Sequence, residues 1–458
     1  MNIQTDSRKV KKGDTFIAIK GVAGDGHDYI EKAIENGATK IVAEHGSYSV
    51  ETIIVDDTKA YLEKTLKENY GKCLDEMTLI SITGTNGKTT GAFIIYELLN
   101  KLGLKCGYVG TIGFYLDKFV CYLPNTTPDL CSMYEYVMEA YEKGYRYFVL
   151  EASSQGIDMG RLNTFTYNYV IFTNLTHEHL DYHKTMEEYM KVKRRIFNDI
   201  REGGLAIINS DDEYYKDFAL EKNNNIFYGE NENADYKISN PKYGLNETIF
   251  DLKVKDSTYN IKSSLLGEYN IYNLIPAIVI LDDLKISPDK YIPFLSTLSS
   301  PDGRNEKIAY GTNLVVVDYA HTPDGIEKVA EAYRKVNPNH LYIVFGACGN
   351  RDRTKRPIML DVATSLSDYV IVTDYNLYGE DGNQIIEDVT KDAKRDNFKV
   401  IRDRKEAIHE GINLLKDKDV LLILGKGHEK YLDIGGKKIY FDDREVVREY
   451  ITSKEVKN

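Results

Sequence analysis

The chain has 458 residues, enough for about three domains of ordinary size. Hydrophobic residues make up 42% and charged residues 28% of the chain, which argues against disordered, collagen-like and membrane classes. The net charge of −12 argues against a nucleic-acid-binding protein, because phosphate neutralisation needs a basic surface. The five cysteines lack metal-type spacing, and we find neither a signal peptide nor a membrane-spanning run. We therefore expect a reduced, cytoplasmic protein without membrane insertion.

The first half of the chain predicts two α/β units. Residues 1–75 combine short strand-like runs with a helix over 29–36, and an apolar strand over 77–83 then leads into a glycine-rich loop and a helix over 91–102. Buried-type strands alternate with helical patterns after this point, which indicates a parallel sheet. These strands are 147–150, 169–175 and 205–209. Alternating runs over 235–264 predict antiparallel hairpins before a helix near Asn270.

A third unit is predicted to follow the turn-forming residues 299–303. Its strands again alternate with helices, and they lie at 314–317, 341–345, 369–373 and 420–424. We therefore predict three α/β domains, which are a small domain over 1–75, a central P-loop domain with a parallel sheet over 76–300, and a Rossmann-like doubly wound domain over 301–458.

The segment from Gly84 to Thr90 is a candidate phosphate-binding loop. It reads Gly84, Thr85, Asn86, Gly87, Lys88, Thr89, Thr90. In such a loop the backbone N–H groups and the helix N-terminus face phosphate, the lysine neutralises phosphate oxygens, and the first threonine binds Mg²⁺. The strict Walker pattern needs glycine at position 82, where this chain has Ile82. A plain glycine turn before a helix is the alternative, but the preceding apolar strand favours nucleotide binding.

Ten ordered segments resemble the Mur ligase family. They are TDSRKVKKGDTFIAIKG (5–21), GTNGKTT (84–90), NTTPD (125–129), LEASSQGIDMGRL (150–162), TNLTHEHLDYH (173–183), GEYNIYN (267–273), GRNE (303–306), VDYAHTPD (317–324), GACGNRDRTKRP (346–357) and GKGHE (425–429). The family comprises ATP-dependent amide ligases of peptidoglycan precursor synthesis. Within it, the segments are most similar to the type that adds the third amino acid, the UDP-N-acetylmuramoyl-tripeptide synthetases (MurE type).

The resemblance implies a catalytic set with two Mg²⁺ ions. The set is Lys88, Thr89, Glu151, His179 and Lys193, with Thr89, Glu151, His179 and Lys193 as the metal ligands. Lys193 would act as a carbamate, which forms when its side-chain amine reacts with CO₂. From the residues alone, Glu151 and His179 are polar residues after strands, and Lys193 lies on a basic helix face that water would solvate.

The resemblance also assigns substrate contacts. The ATP contacts would be the loop 84–90 together with Asn273, Arg304 and Asp318. The contacts to the UDP-sugar peptide would be Ser7, Asn125, Thr126, Thr127, Ser153 and Arg161. Hydroxyl groups and arginine suit these positions, because charge-assisted hydrogen bonds hold phosphate well.

The incoming amino acid would contact Arg351, Asn376, Tyr378, Gly425 and Glu429. Family members that add meso-diaminopimelate carry Asp-Asn-Pro-Arg, whereas residues 375–378 here read Tyr-Asn-Leu-Tyr. A neutral tyrosine cannot form the bidentate ion pair of that arginine, which disfavours diaminopimelate. Asp374 and Glu429 favour an ammonium-bearing side chain such as that of lysine or ornithine. A small neutral amino acid stays open.

Other departures from the family pattern are Gln155, Met159 and a short segment before Asp6-Ser7-Arg8. We expect a monomeric ligase that activates the carboxylate of a UDP-N-acetylmuramoyl-dipeptide as an acyl phosphate, which the amino group of a free amino acid then attacks. Three alternatives stay open. They are a ligase similar to folylpolyglutamate synthase, a non-catalytic nucleotide-sugar-binding protein, and a P-loop switch or motor protein, for which we find no switch features.

Overall fold

The computed structural model describes residues 2–21, 24–221, 224–244 and 247–455. The chain divides into two compact units. The first consists of Met1–Ser81, Leu104–Asn168 and Asn198–Gly204, and the second of Ile82–Gly103, Tyr169–Phe197 and Leu205–Asn458. No helix within the described residues is long and apolar enough to cross a membrane.

The strands follow in chain order. They are β1 (Ile3–Gln4), β2 (Thr15–Ile17), β3 (Lys40–Ala43), β4 (Glu51–Ile54), β5 (Thr78–Thr83), β6 (Cys106–Gly110), β7 (Gly113–Tyr115), β8 (Phe119–Cys121), β9 (Tyr147–Glu151), β10 (Tyr167–Phe172), β11 (Ile200–Asn209), β12 (Asn225–Gly229), β13 (Tyr236–Tyr243), β14 (Thr248–Val254), β15 (Ser257–Ser263), β16 (Glu306–Tyr310), β17 (Asn313–Asp318), β18 (Leu341–Phe345), β19 (Tyr369–Val372), β20 (Phe398–Val400), β21 (Val420–Leu424), β22 (Tyr431–Ile434) and β23 (Lys437–Tyr440).

The α-helices are α1 (Ile30–Glu35), α2 (Thr58–Glu76), α3 (Lys88–Lys101), α4 (Leu130–Glu142), α5 (Ser154–Asp158), α6 (Leu180–His183), α7 (Met186–Arg194), α8 (Tyr215–Phe218), α9 (Glu268–Asp283), α10 (Pro288–Leu295), α11 (Pro323–Lys335), α12 (Lys355–Leu366), α13 (Gly382–Thr390), α14 (Arg404–Leu414) and α15 (Asp443–Glu455). Short 3-10 turns lie at Ser7–Lys9, Gly26–Tyr29 and Arg195–Asp199.

The first unit contains two groups of strands. The parallel strands β1-β2-β3-β4 pack their apolar residues, among them Phe16 and Ile41, against Ile30 and Ala33 of α1. The second group has the order β9-β6-β7-β8, in which β6 runs parallel to β9 and antiparallel to β7. The small α/β unit predicted near the N-terminus is therefore present.

The second unit contains the phosphate loop on a mixed sheet. The strand order is β15-β14-β13-β12-β11-β10-β5. Strands β11, β12 and β13 pair in parallel, whereas β13, β14 and β15 pair antiparallel, which confirms the hairpins predicted over 235–264. The apolar helix α9 packs beside α3.

The second unit also contains a six-stranded sheet with the order β16-β17-β21-β18-β19-β20. Only its edge strand β16 is antiparallel among these described strands. Buried side chains form a core on each face, one with residues of α11, α12 and α13 and the other with residues of α14 and α15. The predicted doubly wound sheet is therefore present.

Two predicted boundaries near the phosphate loop differ from the structure. Helix α3 begins at Lys88 and not at residue 91, because Gly87 supplies the left-handed N-cap (φ 87°). Strand β10 ends at Phe172, so residues 173–175 form a loop. Hydrogen bonds from this loop to residues 83–86 replace further strand pairing.

Candidate active site

The phosphate loop is hydrogen-bonded to the loop that follows β10. Thr85 N donates to Asn174 O (2.8 Å), Asn86 N donates to Asn174 Oδ1 (2.9 Å), and Thr173 Oγ1 donates to Asn86 O (2.6 Å). A Cβ at Gly84 would lie 1.9 Å from Thr173 Oγ1, and one at Gly87 would lie 2.4 Å from Asn273 Oδ1. Both glycines also have positive φ, so these two positions require glycine.

Two lysines from distant parts of the sequence meet at this loop. Lys88 Nζ donates to the carbonyl oxygens of Gly84 (2.8 Å) and Thr85 (2.9 Å), and Lys193 Nζ donates to Gly84 O (2.8 Å). Lys193 is 1% exposed, so it is not the solvated lysine that its helix pattern suggests. Burial, and then the charge of Lys88, lower its pKa well below the usual value. Both effects favour the neutral amine over the ammonium form.

His179 begins α6 in the left-handed conformation (φ 57°) and is largely buried. Burial lowers its pKa to about 3, so the imidazole is neutral and can act as a metal ligand. Its loop is anchored by the adjacent Glu178, which forms a buried ion pair with Lys355 (3.1 Å). His177 Nε2 also lies 3.1 Å from Asp352 Oδ2.

No group of three or more His, Cys, Asp or Glu residues suited to a metal occurs among the described residues. The hydroxyl of Thr89 and the neutral imidazole of His179 fit Mg²⁺ only as a partial ligand set. This fits the usual behaviour of Mg²⁺, which keeps waters and shares substrate phosphates in place of a complete protein cage.

A cavity of about 340 Å³ adjoins the phosphate loop within the second unit. The predicted ATP contacts Asn86, Gly87, Thr90, Asn273, Arg304 and Asp318 all line it. Arg304 Nη2 donates to Thr89 Oγ1 (3.3 Å), and its guanidinium lies 4.4 Å from the centre of the Tyr319 ring. Asp318 accepts from the backbone N–H groups of Asn305 (2.6 Å) and Ala320 (2.7 Å). These residues, which were predicted to contact ATP, therefore lie close together around one cavity.

The predicted amino-acid residues form a second cluster in the same unit. Glu429 Oε2 accepts from Tyr375 OH (3.0 Å) and Asn376 Nδ2 (2.9 Å), and Tyr375 OH also lies 3.0 Å from Gly425 O. Burial raises the pKa of Glu429. The guanidinium of Arg351 lies 5.7 Å from the centre of the Tyr378 ring. Hydrogen bonds and ring contacts thus connect this cluster.

One expectation about this cluster is wrong. Asp374 was expected to attract an ammonium group, but both of its oxygens accept from Arg402, at 2.5 and 2.8 Å. The charge of Asp374 is therefore already paired with Arg402.

In the first unit, Glu151 ends β9 in a hydroxyl-rich cluster. Its carboxylate accepts from Tyr108 OH (2.5 Å), Thr111 N (2.9 Å) and Thr111 Oγ1 (3.0 Å). The predicted substrate residues surround it. Thr127 Oγ1 donates to Glu151 O (2.8 Å) and contacts Ser153 Oγ (2.9 Å), Thr126 Oγ1 contacts Thr111 Oγ1 (3.0 Å), and Arg161 Nη1 donates to Thr127 O (2.8 Å).

Two predicted substrate residues lie outside this cluster. Asn125 is exposed, and Ser7 is buried in a 3-10 turn, where its carbonyl oxygen accepts from Asn36 Nδ2. Met159, which departs from the family pattern, contacts Arg161 through its sulfur (3.1 Å). Residue patterns missed Tyr108, Thr111 and Lys355. The buried strand β6 before Thr111 was the available signal for the first two. For Lys355 the signal was its place in the segment 346–357, which resembles the family.

Comparison with known proteins identifies the family. Three models match the chain. The model described as "Mur ligase family, catalytic domain" covers residues 1–70, "Mur ligase middle domain" covers 82–281, and "Mur ligase, glutamate ligase domain" covers 303–427. The UDP-N-acetylmuramoyl-L-alanyl-D-glutamate--2,6-diaminopimelate ligase 1 of Clostridium acetobutylicum is 38% identical over 98% of this chain and 94% of its own length. The chain belongs to the Mur ligase family.

This Mur ligase is 39% identical to a second diaminopimelate ligase, from Aquifex aeolicus, over 98% of the chain and 93% of that protein. A solved diaminopimelate ligase structure is similar with a TM-score of 0.69 and 31% identity, over 99% of this chain and 95% of that one. MurF of Thermotoga maritima in complex with ADP has a TM-score of 0.73 at 21% identity, over 100% and 98% of the two chains, which shows the shared fold.

These matches confirm the three-domain α/β fold and the assignment to a ligase family, so the chain is a ligase. The structure of folylpolyglutamate synthase from Mycobacterium tuberculosis has a TM-score of 0.64 at 15% identity, over 79% of this chain and 91% of that one. This similarity shows only that the two proteins have the same fold. The names of the relatives oppose the expected preference for lysine or ornithine. The domain boundaries stay predictions.

Proposed function

We propose that this Mur ligase adds the third amino acid to UDP-N-acetylmuramoyl-L-Ala-D-Glu and converts ATP to ADP and phosphate. The observation that carries the proposal is the hydrogen bond from Arg304 to Thr89, which joins the phosphate loop to the segment that leads into the six-stranded sheet. This contact sits beside a cavity that the predicted ATP residues line. Relatives that carry the corresponding name are similar over nearly the whole chain.

The reaction would proceed in two steps. An oxygen of the terminal dipeptide carboxylate attacks the γ-phosphorus of ATP, the bond to the β-phosphate oxygen breaks, and ADP leaves. The free amine of the incoming amino acid then attacks the acyl carbon and loses a proton, the bond from the acyl carbon to the phosphate oxygen breaks, and phosphate leaves. Lys88 and the loop amides would neutralise and orient the transferring phosphoryl group, because this chemistry depends mostly on positioning and charge.

We assign Lys193 as the carbamate lysine within this proposal. A neutral amine attacks CO₂ and loses a proton, which gives a carbamate anion in place of a cation. The burial of Lys193 and the charge of Lys88 favour the neutral amine. The resulting carboxylate would lie near the phosphate loop, where Lys193 Nζ contacts Gly84 O, and would add a ligand to the partial set of Thr89 and His179.

Mg²⁺ would neutralise phosphate charge when it is bound. In the second unit, Thr89, His179 and a carbamate on Lys193 are the residues that we propose to hold it. Glu151 is a further proposed ligand, with Tyr108 and Thr111 orienting its carboxylate. The hydroxyls of Thr126, Thr127 and Ser153 beside Glu151 would bind the substrate that supplies the reacting carboxylate. The cytoplasmic location and the monomeric state stay predictions.

For the incoming amino acid, we propose that Arg351 holds the α-carboxylate and Glu429 a distal ammonium group. Lysine, ornithine and diaminopimelate all carry a second ammonium group. The carboxyl group of Glu429, whose Oε2 accepts from Tyr375 OH and Asn376 Nδ2, supports this class. The loss of the expected attraction from Asp374 weakens the argument for lysine over diaminopimelate.

The proposal is tested by the formation of ADP and of the UDP-linked tripeptide, followed by mass spectrometry. Both should require ATP, Mg²⁺, the UDP-dipeptide and an amino acid together. A matched reaction with a reduced folate and glutamate tests the alternative ligase activity. Product in the folate reaction and none in the UDP-dipeptide reaction would contradict the proposal.

A further inference from the structure

The loop after β10 is joined to the start of α12 at two adjacent positions. Glu178 accepts from Lys355 Nζ through both of its carboxylate oxygens, at 3.1 and 3.4 Å, and both residues are buried. Next to this pair, His177 Nε2 lies 3.1 Å from Asp352 Oδ2 in a partly exposed contact. We call these four residues the clamp. Its two contacts fix both the distance between the two segments and their relative orientation.

On one side, the clamp is tied to the phosphate loop. Thr176 N donates to Thr85 Oγ1 (2.9 Å), and Thr85 N donates to Asn174 O (2.8 Å). The first two clamp residues follow Thr176 directly in the chain. Burial, and then the charge of Lys355, lower the pKa of His321, which lines the ATP cavity, to about 3. The charge of Lys355 therefore acts close to that cavity.

On the other side, the clamp is tied to the loop that carries Arg351. Arg351 is exposed, so the position of its side chain depends on the backbone of this loop. Gly349 N donates to Asn376 O (2.8 Å), which attaches the loop to the segment after β19. Asp352 and Lys355 attach the same loop to the segment beside the phosphate loop. The clamp thus joins the predicted ATP residues to the predicted amino-acid residues.

The buried pair of Glu178 and Lys355 contributes more to geometry than to stability. Desolvation of two charges offsets most of their attraction, so replacement of such a pair by apolar side chains is often neutral for folding. The pair nevertheless excludes arrangements in which either charge is buried alone, because an unpaired buried charge costs much free energy. It therefore favours one relative position of the two loops.

We propose that Glu178 and Lys355 are positioning residues for the second step of the reaction. They hold the loop of Arg351, and with it the incoming amine, in reach of the acyl phosphate that forms at the phosphate loop. The inference rests on the proposed function, and it assigns to this pair the coupling of ATP consumption to amide formation.

The consequence of a lost clamp is uncoupled turnover. A misplacement of about 1 Å between reacting groups can cost about 100-fold in rate, so the amine would attack more slowly. Water would then attack the acyl carbon, the bond to the phosphate oxygen would break, and the dipeptide carboxylate would be restored. ATP would be converted to ADP and phosphate without formation of the tripeptide.

The test is the number of tripeptides formed per ADP in the double variant E178M/K355M. Methionine removes both charges and keeps side chains of similar length, so the variant should unfold at the same denaturant concentration as the native chain. We expect the native chain to form one tripeptide per ADP and the double variant to form less than about half of one. The KM for the amino acid should rise at least about 10-fold and the KM for ATP less than about 3-fold.

Two further variants complete the test. K394M is the matched control, because Lys394 pairs with Asp361 of α12 at the surface, and it should keep one tripeptide per ADP. H177A removes the exposed contact of the clamp without a change to a buried charge. It should lower the yield of tripeptide per ADP in the same direction as the double variant, and it decides the question if the double variant does not fold.

Three results would overturn the proposal. They are one tripeptide per ADP in both E178M/K355M and H177A, an equal rise of the two KM values, and an equal loss in K394M. A native chain that forms no tripeptide contradicts the proposed function instead. Hydrogen exchange of the amides over 349–354, in the complex with an ATP analogue, then decides the clamp alone. Faster exchange in the double variant than in K394M supports it, and equal exchange contradicts it.

Discussion

Lys88 and Lys193 donate to the same acceptor, the carbonyl oxygen of Gly84, and each of the two distances is 2.8 Å. Two ammonium groups this close repel each other, and burial makes the repulsion stronger. The pair is relieved if Lys193 is neutral, and it becomes attractive if Lys193 carries a carbamate. The geometry of the phosphate loop thus supports a chemical change at one of its two lysines.

Replacement of Lys193 tests this assignment. K193A should lower kcat by at least about 100-fold if the residue supplies a ligand for phosphate-bound metal. Chloride or other small anions should restore part of the activity, because they can occupy the site of the lost carboxylate. K191A is the matched control, since Lys191 lies on the same helix but is exposed and pairs with Glu187. Full activity of K193A would exclude the carbamate.

Replacement of Gly87 tests whether ATP binding depends on the backbone conformation of the phosphate loop. In G87A the new Cβ would collide with Asn273 Oδ1, and alanine would also be strained at φ 87°. We expect the affinity for ATP to fall at least about 10-fold, as measured by nucleotide titration. G103A is a suitable control, because Gly103 has a similar φ of 77° and open space around it. Equal losses in both variants would mean that backbone strain alone matters.

Replacement of Arg304 tests whether its contacts with Thr89 and Tyr319 contribute to ATP binding. Loss of its contacts with Thr89 and the Tyr319 ring should raise the KM for ATP about 10-fold or more in R304A. R304K should recover little, since lysine cannot reproduce a planar guanidinium over the ring. R448A, which removes an exposed arginine that pairs with Glu306, should leave the KM for ATP unchanged. An unchanged KM in R304A would remove this residue from the ATP site.

Local patterns predicted the phosphate loop and most strands, because a glycine loop between an apolar strand and a helix is encoded within about 20 adjacent residues. The contact from Arg304 to Thr89 joins residues 215 positions apart, and only the resemblance to a family placed both at ATP. Helix periodicity marked Lys193 as solvated, since the pattern shows that a face is polar but not what covers it.

The cluster of predicted amino-acid-binding residues shows a second limit of prediction from the sequence. Glu429 and Asn376 were expected to contact substrate, and the structure brings them to 2.9 Å. The pairing of Asp374 with Arg402 could not be foreseen, because charge counts do not reveal which carboxylates are already paired. The amino-acid preference that was drawn from Tyr378 in place of arginine stays opposed by the names of the relatives. The contact of Tyr378 OH with Tyr431 OH (3.2 Å) depends on the fold of the β22–β23 hairpin, which the local sequence did not predict.

The ion pairs of Asp388 predict how the folding stability of the protein depends on pH. Hydrogen bonds from Arg353 and Arg356, at 2.7 and 2.8 Å, lower its pKa to about 2. A carboxyl group whose folded pKa is lowered contributes stability that is complete above about pH 4 and is lost as the pH falls towards 2. Denaturant unfolding from pH 7 to pH 2 should show this loss in the native chain.

D388N should remove this pH dependence and destabilise the protein at pH 7 by about 3 kcal/mol, because a buried pair loses one partner. Arg356 also donates to Cys348 O and Glu380, so the loop that carries Arg351 should loosen and the KM for the amino acid should rise. D361N is the control, because Asp361 pairs with Lys394 and Arg395 at the surface and should cost less than about 1 kcal/mol. Equal losses of folding stability in D388N and D361N would contradict the role that we assign to the buried ion pairs of Asp388.

The central claim is that the dipeptide carboxylate is activated by ATP before the amine attacks. The most direct measurement is phosphate release with UDP-N-acetylmuramoyl-L-Ala-D-Glu whose terminal carboxylate carries ¹⁸O, in the presence of Mg²⁺ and diaminopimelate or lysine. The account predicts that phosphate forms together with the tripeptide and contains one ¹⁸O atom from the carboxylate. Phosphate without ¹⁸O, or its release at the same rate without the dipeptide, would contradict it.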